Sequence, residues 1–289
     1  MIYYIQIYIL EVEYIMRNNI HTKTVNCNLG IDMLNVPAFS IEGIWDHNHS
    51  SHLNIHSFHQ VLAVHTGIFM IEDDTFKQPL YKHNAAFIPA NKAHKIYLVS
   101  EHSRSEAVCY SLFFKKKYIK KQIEGIKLFQ ISDLNTALLQ KLNEVNLINL
   151  TYGIMGRCLD LFLEILNLDI EKEAPLIRLP EAKTDFGKKI IQYIEKNYMN
   201  NINFSDFASI ISYSPRHTSR LFQEDLGISV FEYLRLYRIL VASIELDKKD
   251  KKIIDIALDC GYNSPSSFYS DFKIYYSITP SQFRKKHFE

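Results

Sequence analysis

The last hundred or so residues of this chain repeat themselves, and the repeat constrains the fold more than any other feature. Asp206, Ala208, Tyr213, Ser214, Pro215 and Phe222 form one pattern; Asp255, Ala257, Tyr262, Ser264, Pro265 and Phe272 form a second. The first three pairs are 49 residues apart and the last three 50, so the second copy holds one extra residue near Asn263. A fixed period of this kind marks a duplicated supersecondary unit. In each copy a short helix carries Ala where two helices must approach closely. A tight turn follows, and in the second copy Gly261 supplies the residue best able to take a positive φ. Ser and Pro then stand side by side, a side-chain oxygen for the N-cap and a ring suited to the first helical position. The next helix buries one stripe, Thr218, Leu221 and Phe222 or Phe268 and Phe272, and keeps its other face polar. In the first copy that face is Arg216, Ser219, Arg220 and Gln223. Such a unit is a helix-turn-helix, its second helix free to enter a major groove.

Between the copies Val230 to Leu246 reads as one helix, with Phe231, Leu234, Tyr237, Ile239, Val241 and Ile244 as its apolar positions. At 1.5 Å per residue it spans roughly 25 Å. That length suits two second helices held about one DNA turn, near 34 Å, apart on one side of a duplex.

Length, charge and cysteines narrow the rest. A chain of 289 residues has room for two domains. With 47% hydrophobic and 22% charged residues it is neither disordered nor fibrous. The net charge of +1 hides an asymmetry: residues 183–289 carry 16 basic and 13 acidic side chains, +3, leaving 17 and 19, −2, in the remainder. Cys27, Cys109, Cys158 and Cys260 are far apart and show neither a disulfide framework nor a zinc spacing. No run of 18 apolar residues exists, so no transmembrane helix and no membrane partner are expected, and the expected location is the cytoplasm. The apolar start, Met1 to Ile15, lacks a basic n-region and a cleavage site and is interrupted by Glu11 and Glu13. It reads as an extra edge strand or a tail over 1–34, with translation from Met16 as the alternative.

Residues 35–115 read as β-structure. Gln60 to Val64, Gly67 to Ile71, Ala85 to Pro89 and Ile96 to Val99 are short apolar runs between turn residues, as in a small barrel or sandwich. Residues 116–170 change period. Leu134, Leu138, Leu142 and Val145, then Met155, Leu159, Phe162 and Leu166, mark two amphipathic helices around Thr151-Tyr152-Gly153. They either cover the β-structure or join two protomers; the dimer role is the one expected. Residues 171–183, with Pro175 and Pro180, read as a linker, and 184–289 as the duplicated helical domain.

The order of residues over Ile190 to Lys286 resembles the AraC/XylS family of bacterial transcription regulators. The resemblance rests on Tyr213-Ser214-Pro215-Arg216-His217-Thr218-Ser219-Arg220-Leu221-Phe222 and Glu232-Tyr233-Leu234 with Arg238-Ile239 and Ala242. It continues through Ile254-Asp255-Ile256-Ala257, Gly261-Tyr262, Ser266-Ser267-Phe268, Phe272-Lys273 and Thr279-Pro280-Ser281-Gln282-Phe283-Arg284. It implies an α+β chain: an N-terminal cupin-like β-barrel with two following helices, then an all-α domain of two helix-turn-helix units joined by a linker helix. It also implies promoter DNA, RNA polymerase, a small-molecule effector and a second copy of the chain as partners, and activation as the outcome. The family's base-contacting positions fall on Arg216, Ser219, Arg220 and Gln223, and in the second unit on Pro265, Ser266, Tyr269 and Ser270. Lys273 is expected to hold phosphate. Ser270, followed by Asp271, stands where the family often has a basic residue, and Ser277 where it commonly has Gly. His217 is expected to pack or to touch phosphate, and Lys248 to Lys252 and Arg284 to Lys286 to be solvated surface.

Six of the twelve histidines, His47, His49, His52, His56, His59 and His65, fall within residues 45–65. A metal-binding cupin resembles a His-x-His-x-x-x-Glu pattern, whose places are taken here by Asn54, His56 and Gln60; Pro89 to His94 resembles the second cupin motif. Two amides replace ligands, so no metal, no cofactor and no catalytic site are expected. The barrel is expected to hold an effector among His56, Phe58, Gln60, Tyr81, Phe87 and His94, while His59, of opposite parity to His56, should point outward. The alternatives are a filled barrel in a ligand-independent regulator, and a cupin enzyme fused to a DNA-binding module.

Overall fold

The structure is a computed structural model that describes residues 38–45, 53–99, 107–119, 122–144, 153–172, 177–208, 211 and 213–288. Several expectations lie outside the described residues: the apolar start, Met16, Cys27, His47, His49, His52, Val145, Thr151 and Tyr152. The strands are β1 (Ala38–Trp45), β2 (His59–Thr66), β3 (Phe69–Glu72), β4 (Phe76–Leu80), β5 (Asn84–Ile88), β6 (Lys95–Leu98), β7 (Ala107–Phe114), β8 (Lys127–Gln130) and β9 (Leu179–Pro180). The helices are α1 (Asp133–Asn143), α2 (Gly153–Asp169), α3 (Asp185–Asn197), α4 (Phe204–Ala208), α5 (Pro215–Leu226), α6 (Val230–Glu245), α7 (Ile253–Asp259), α8 (Pro265–Tyr276) and α9 (Pro280–Phe288). They fall into two compact units, Met1–Ile71 with Leu80–Ala174, and Glu72–Pro79 with Pro175–Glu289.

The first unit is built on an antiparallel sheet in the order β1-β7-β2-β5-β8. Among the described residues this sheet stays open, so the barrel expected over 35–115 is met only as a sheet, with β6 beside β3 as a further pair. Register sorts the side chains. Val61 pairs with Leu112 and Phe87, and Ala85 pairs with Phe129, so these share one face. That face packs beneath Leu139 and Leu142 of α1 and Leu159, Phe162, Leu163 and Leu166 of α2. Each large side chain buried there contributes about 1.5–3 kcal/mol. The opposite face carries Gln60, Leu62, Ala86, Ile88, Ser111 and Phe113.

The two helices are fastened to each other and to the sheet by polar groups. Ser132 caps α1. Its backbone N–H and hydroxyl, and the Asn135 amide, all donate to Oδ2 of the buried Asp169 at 3.0, 2.8 and 3.0 Å. The end of α2 therefore anchors the start of α1, a carboxylate placed at a helix N-terminus. Ser40 Oγ donates to the Leu142 carbonyl at 2.8 Å, tying β1 to the last turn of α1. The buried line of α1 runs through Asn135, Leu139 and Leu142, whereas Leu134 is exposed and Leu138 half-buried. The leucine stripe read from the sequence is thus turned away from the core at its start, because the Asp169 clasp draws Asn135 inward.

In the second unit β4 and β9 pair, Phe76 with Pro180 and Lys77 with Leu179. The stretch read as a linker therefore contains a strand, and the Arg178 guanidinium lies 4.9 Å from the centre of the Phe76 ring. The helices α3 to α9 follow in sequence. Thr184 caps α3 and is held by Asp225 of α5, which also accepts from the Lys183 and Thr184 amides.

Candidate nucleic-acid interface

Each copy of the repeat starts its long helix by the same local chemistry. Ser214 Oγ accepts from the His217 amide and Ser264 Oγ from the Ser267 amide, with Pro215 and Pro265 in the first turn. Each helix ends in a left-handed residue, Gly227 at φ 78° and Ser277 at φ 60°, whose N–H donates to Gln223 and Lys273. Ser277 thus takes the conformation that usually selects Gly. The buried lines also correspond: Thr218, Phe222 and Leu226 in α5, and Phe268, Phe272 and Tyr276 in α8. Leu221, counted in the stripe from sequence, is half-buried, and Ala257 on α7 is buried.

The polar faces are left outward. Arg216, Arg220 and Gln223 are exposed on α5, with Ser219 half-exposed among them. Arg220 is not free: Nη1 donates to Glu224 at 2.8 Å, and Nη2 lies 3.4 Å from His217 Nδ1. His217 is half-buried with its ring edge-on to Tyr213. On α8, Pro265, Ser266, Ser270 and Lys273 are exposed and Tyr269 is half-exposed against Phe268. Asp271 faces inward. It accepts from the Tyr262 hydroxyl at 3.1 Å and lies 4.0 Å from Arg235. Burial first, then the Asp271 charge, pushes the Tyr262 hydroxyl pKa far up, so it remains a donor. The acid beside Ser270 is therefore turned toward the fold and away from the polar face.

Several charges that look like surface in the sequence hold the two copies together. Arg238 of α6 donates to the Tyr198 and Asn200 carbonyls, both at 2.8 Å. Gly261 sits at φ 83°, and a Cβ there would lie 2.7 Å from the Tyr198 carbonyl oxygen and 2.9 Å from that of Met199. The turn of the second copy thus rests on the chain just past α3, and only Gly fits. Arg284 is not solvated as expected; it donates to the carbonyls of Leu246, Lys248 and Lys251 at 3.0, 3.3 and 2.9 Å, closing the end of α6. The lysine-rich loop is also partly spent, because Lys248 and Lys251 pair with the buried Glu245 while Lys249 is exposed. Burial, then the Glu245 charge, pushes the Cys260 thiol up to about 12. A capping box starts α9, where the Gln282 amide donates to Thr279 Oγ1 and the Thr279 amide to Gln282 Oε1.

Two copies of a capped helix with an outward polar face, joined by one long helix, define a double helix-turn-helix DNA-binding domain. The comparisons with known proteins agree. A family model described as a helix-turn-helix domain matches residues 207–286. The HTH-type transcriptional activator AarP of Providencia stuartii is 36% identical over 96 residues, 33% of this chain and 71% of AarP. The chain belongs to the AraC-type family of helix-turn-helix transcriptional regulators, and it is a DNA-binding regulator. The regulator YbfP of Bacillus subtilis is 36% identical over 97 residues, but the match spans only 33% of its length. Among solved structures, the C-terminal domain of AraT from Geobacillus stearothermophilus is 26% identical, covering 37% of this chain and 88% of that one at a TM-score of 0.35. ToxT from Vibrio cholerae covers 88% of this chain and 100% of its own at 13% identity and a TM-score of 0.37.

The residues assigned to an effector pocket do not all gather. His56, Gln60 and His94 do. His56 Nε2 lies 3.1 Å from Gln60 Oε1, the Gln60 amide donates to Ser111 Oγ at 3.0 Å, and the His56 and His94 rings are 5.2 Å apart. All four side chains are buried. Asn54 and His94 join through paired backbone hydrogen bonds, which brings the two segments together. Phe58 stands next to this group, edge-on to Phe39, which stacks on Phe113 at 4.8 Å. Tyr81 is fully buried just beyond β4. Phe87 lies on the other face of the sheet, under α1 and α2, and so does His59, whose ring packs 5.2 Å from Phe87 and 5.7 Å from Phe114. His59 is therefore half-buried rather than outward, and burial, then Lys116, lowers its pKa. Among the described residues no three His, Cys, Asp or Glu side chains converge as a metal site, and no helix is long and apolar enough to cross a membrane.

Proposed function

We propose that the chain is a cytoplasmic, effector-responsive transcription activator that works as a homodimer on promoter DNA, recruits RNA polymerase and carries no enzymatic activity. The observation that carries this reading is the pair of capped helices whose outward faces take no part in packing. Arg216, Ser219, Arg220 and Gln223 of α5 read base edges in one major groove. An arginine that leaves Glu224 for guanine exchanges one charge-assisted partner for another and gains about 1–3 kcal/mol of discrimination per bidentate pair. Pro265, Ser266, Tyr269 and Ser270 of α8 approach the next groove. With only Lys273 charged there, that helix mainly holds phosphates, which positions the protein without specifying sequence.

Control belongs to a cupin-like N-terminal domain. Its buried polar group of His56, Gln60, Ser111 and His94 offers donors and acceptors to a small molecule, with Phe58 and Tyr81 as apolar neighbours; Phe87 lies on the other face of the sheet. A ligand acts by favouring one domain arrangement over another. Activation is the direction supported by the name of AarP.

The test is selection of the full chain against a random DNA library at two salt concentrations, followed by transcription from the selected site with purified RNA polymerase. A motif of two half-sites about one helical turn apart supports two reading helices. A single half-site means that α8 only grips the backbone. Loss of transcription on adding the protein would make it a repressor and overturn activation.

A further inference from the structure

Helix α5 carries an acid in the middle of its outward face. With 3.6 residues per turn, Glu224 lies about 40° round the helix from Arg220, whereas Ser219 lies about 100° away. Thr218, Phe222 and Leu226 hold the opposite side in the core. The Glu224 and Arg220 side chains are 57% and 56% exposed. Two other acids on the paired helices are engaged by the fold: Asp225 accepts from the Lys183 and Thr184 amides, and Asp271 from the Tyr262 hydroxyl. Glu224 has one partner among the described residues, the Arg220 guanidinium at 2.8 Å. When Arg220 turns to guanine it gives up that partner, and the carboxylate is left beside the base edges without its cation. Phosphates repel it, and so do guanine O6 and N7 and thymine O4, which are all acceptors. Cytosine N4 and adenine N6 are amino groups, the major-groove donors from which an acid accepts. A charge taken from water without a donor is costly, so docking depends on which base comes beside Glu224.

We propose that Glu224 is a specificity-determining residue of α5, accepting from the amino group of a cytosine on the base pair next to the guanine held by Arg220. The inference rests on the base-reading role given to Arg220 above and adds a second position to it. The two residues stand one helical turn apart, about 6 Å along the axis, and their long side chains reach neighbouring base pairs of one groove. The exchange then leaves no charge unmatched. The guanidinium–carboxylate pair separates into guanidinium with guanine and carboxylate with cytosine. Adenine is the second choice, because its N7 lone pair stands beside the amino group and faces the carboxylate. At the equivalent place on α8 stands Ile274, 66% exposed, which has no acceptor to satisfy. The second copy therefore makes no such demand on its base.

The experiment compares the full chain with its Glu224→Ala, Glu224→Gln and Arg220→Ala variants. Each is titrated, at one salt concentration, with the operator selected by the parent and with every single-base change of it. Thermal melts should stay near that of the parent, because an exposed pair one turn apart adds little to stability. Beside its preferred guanine the parent should bind cytosine about tenfold more tightly than thymine. Glu224→Ala should bring that ratio to within about twofold and keep the guanine preference. Glu224→Gln should do the same, since its amide offers thymine O4 a donor as readily as it offers cytosine an acceptor. Arg220→Ala should lose the guanine preference and keep the cytosine one. A Glu224→Ala chain that binds every duplex more tightly by one common factor overturns the proposal, because the acid then only repels phosphate. Loss of the guanine preference in Glu224→Ala also overturns it, and makes Glu224 a prop for Arg220 alone. A guanine preference that survives Arg220→Ala overturns instead the base-reading role of Arg220 itself.

Discussion

The two copies of the repeat share a frame and differ on their faces. Fifty residues apart, Thr218 matches Phe268, Phe222 matches Phe272, Leu226 matches Tyr276, and Gly227 matches Ser277 in the same left-handed conformation. The outward positions match only in place: Arg216 with Ser266, Ser219 with Tyr269, Arg220 with Ser270, Gln223 with Lys273 and Glu224 with Ile274. Packing fixes the frame, since the buried positions carry mostly apolar side chains and the Tyr276 hydroxyl donates to Ser243. The face has no packing task, so its chemistry is free to diverge. One helix therefore presents two guanidinium forks, and the other presents hydroxyls and a single ammonium.

The frame breaks most easily where the copies are joined. Gly261→Val should cost about 2–4 kcal/mol, because the side chain meets two carbonyl oxygens in a backbone conformation it rarely adopts. Urea unfolding measures this, and a loss below about 1 kcal/mol would show that the turn can lift off the end of α3. The contrast between faces should show next. Arg220→Ala should lower affinity for the selected operator by about 1–3 kcal/mol and relax preference at one or two bases, as read by binding to single-base operator variants. Unchanged affinity and preference would mean that α5 is not the reading helix.

A swap at the helix ends sharpens the shared frame. Ser277→Gly should stabilise by about 1 kcal/mol, and Gly227→Ser should destabilise by a similar amount. A Cβ at Gly227 meets nothing within 4 Å, so conformation alone is tested there. Thermal melts giving the same sign for both changes would refute the equivalence of the two ends. The smallest effect is expected for Lys273→Ala, a few-fold weakening that is uniform over DNA sequences and lowers the salt slope by about one. A sequence-dependent loss would instead promote α8 to base reading.

What the sequence reveals depends on the distance between cause and effect. The starts of α5 and α8 are legible, because Ser-Pro and its amide lie within three residues of each other. The roles of Arg238, Arg284 and Asp225 are not, because their partners lie 33 to 42 residues away and a charged side chain looks like surface until that partner is placed. The phase of the sheet fails for another reason. Strands β2 and β5 are buried on both faces, so their side chains do not alternate between apolar and polar. Parity separates His59 from Gln60 correctly, but it gives neither the register that sets Ile88 rather than Phe87 opposite Gln60 nor the face that the helices cover, where Phe87 and His59 lie.

The serine-lined face of α8 carries a consequence for how such a regulator diversifies. Its cap is Ser264 and its interior is Phe268, Phe272 and Tyr276, so Ser266, Ser267 and Ser270 hold nothing in place except the Ser267 contact with Ser264. Replacing Ser266 or Ser270 by arginine or asparagine changes the outward face without disturbing the core. New operator preferences are therefore reachable one mutation at a time from a helix that already docks, and duplicated promoters can acquire separate regulation before the protein has lost its old one.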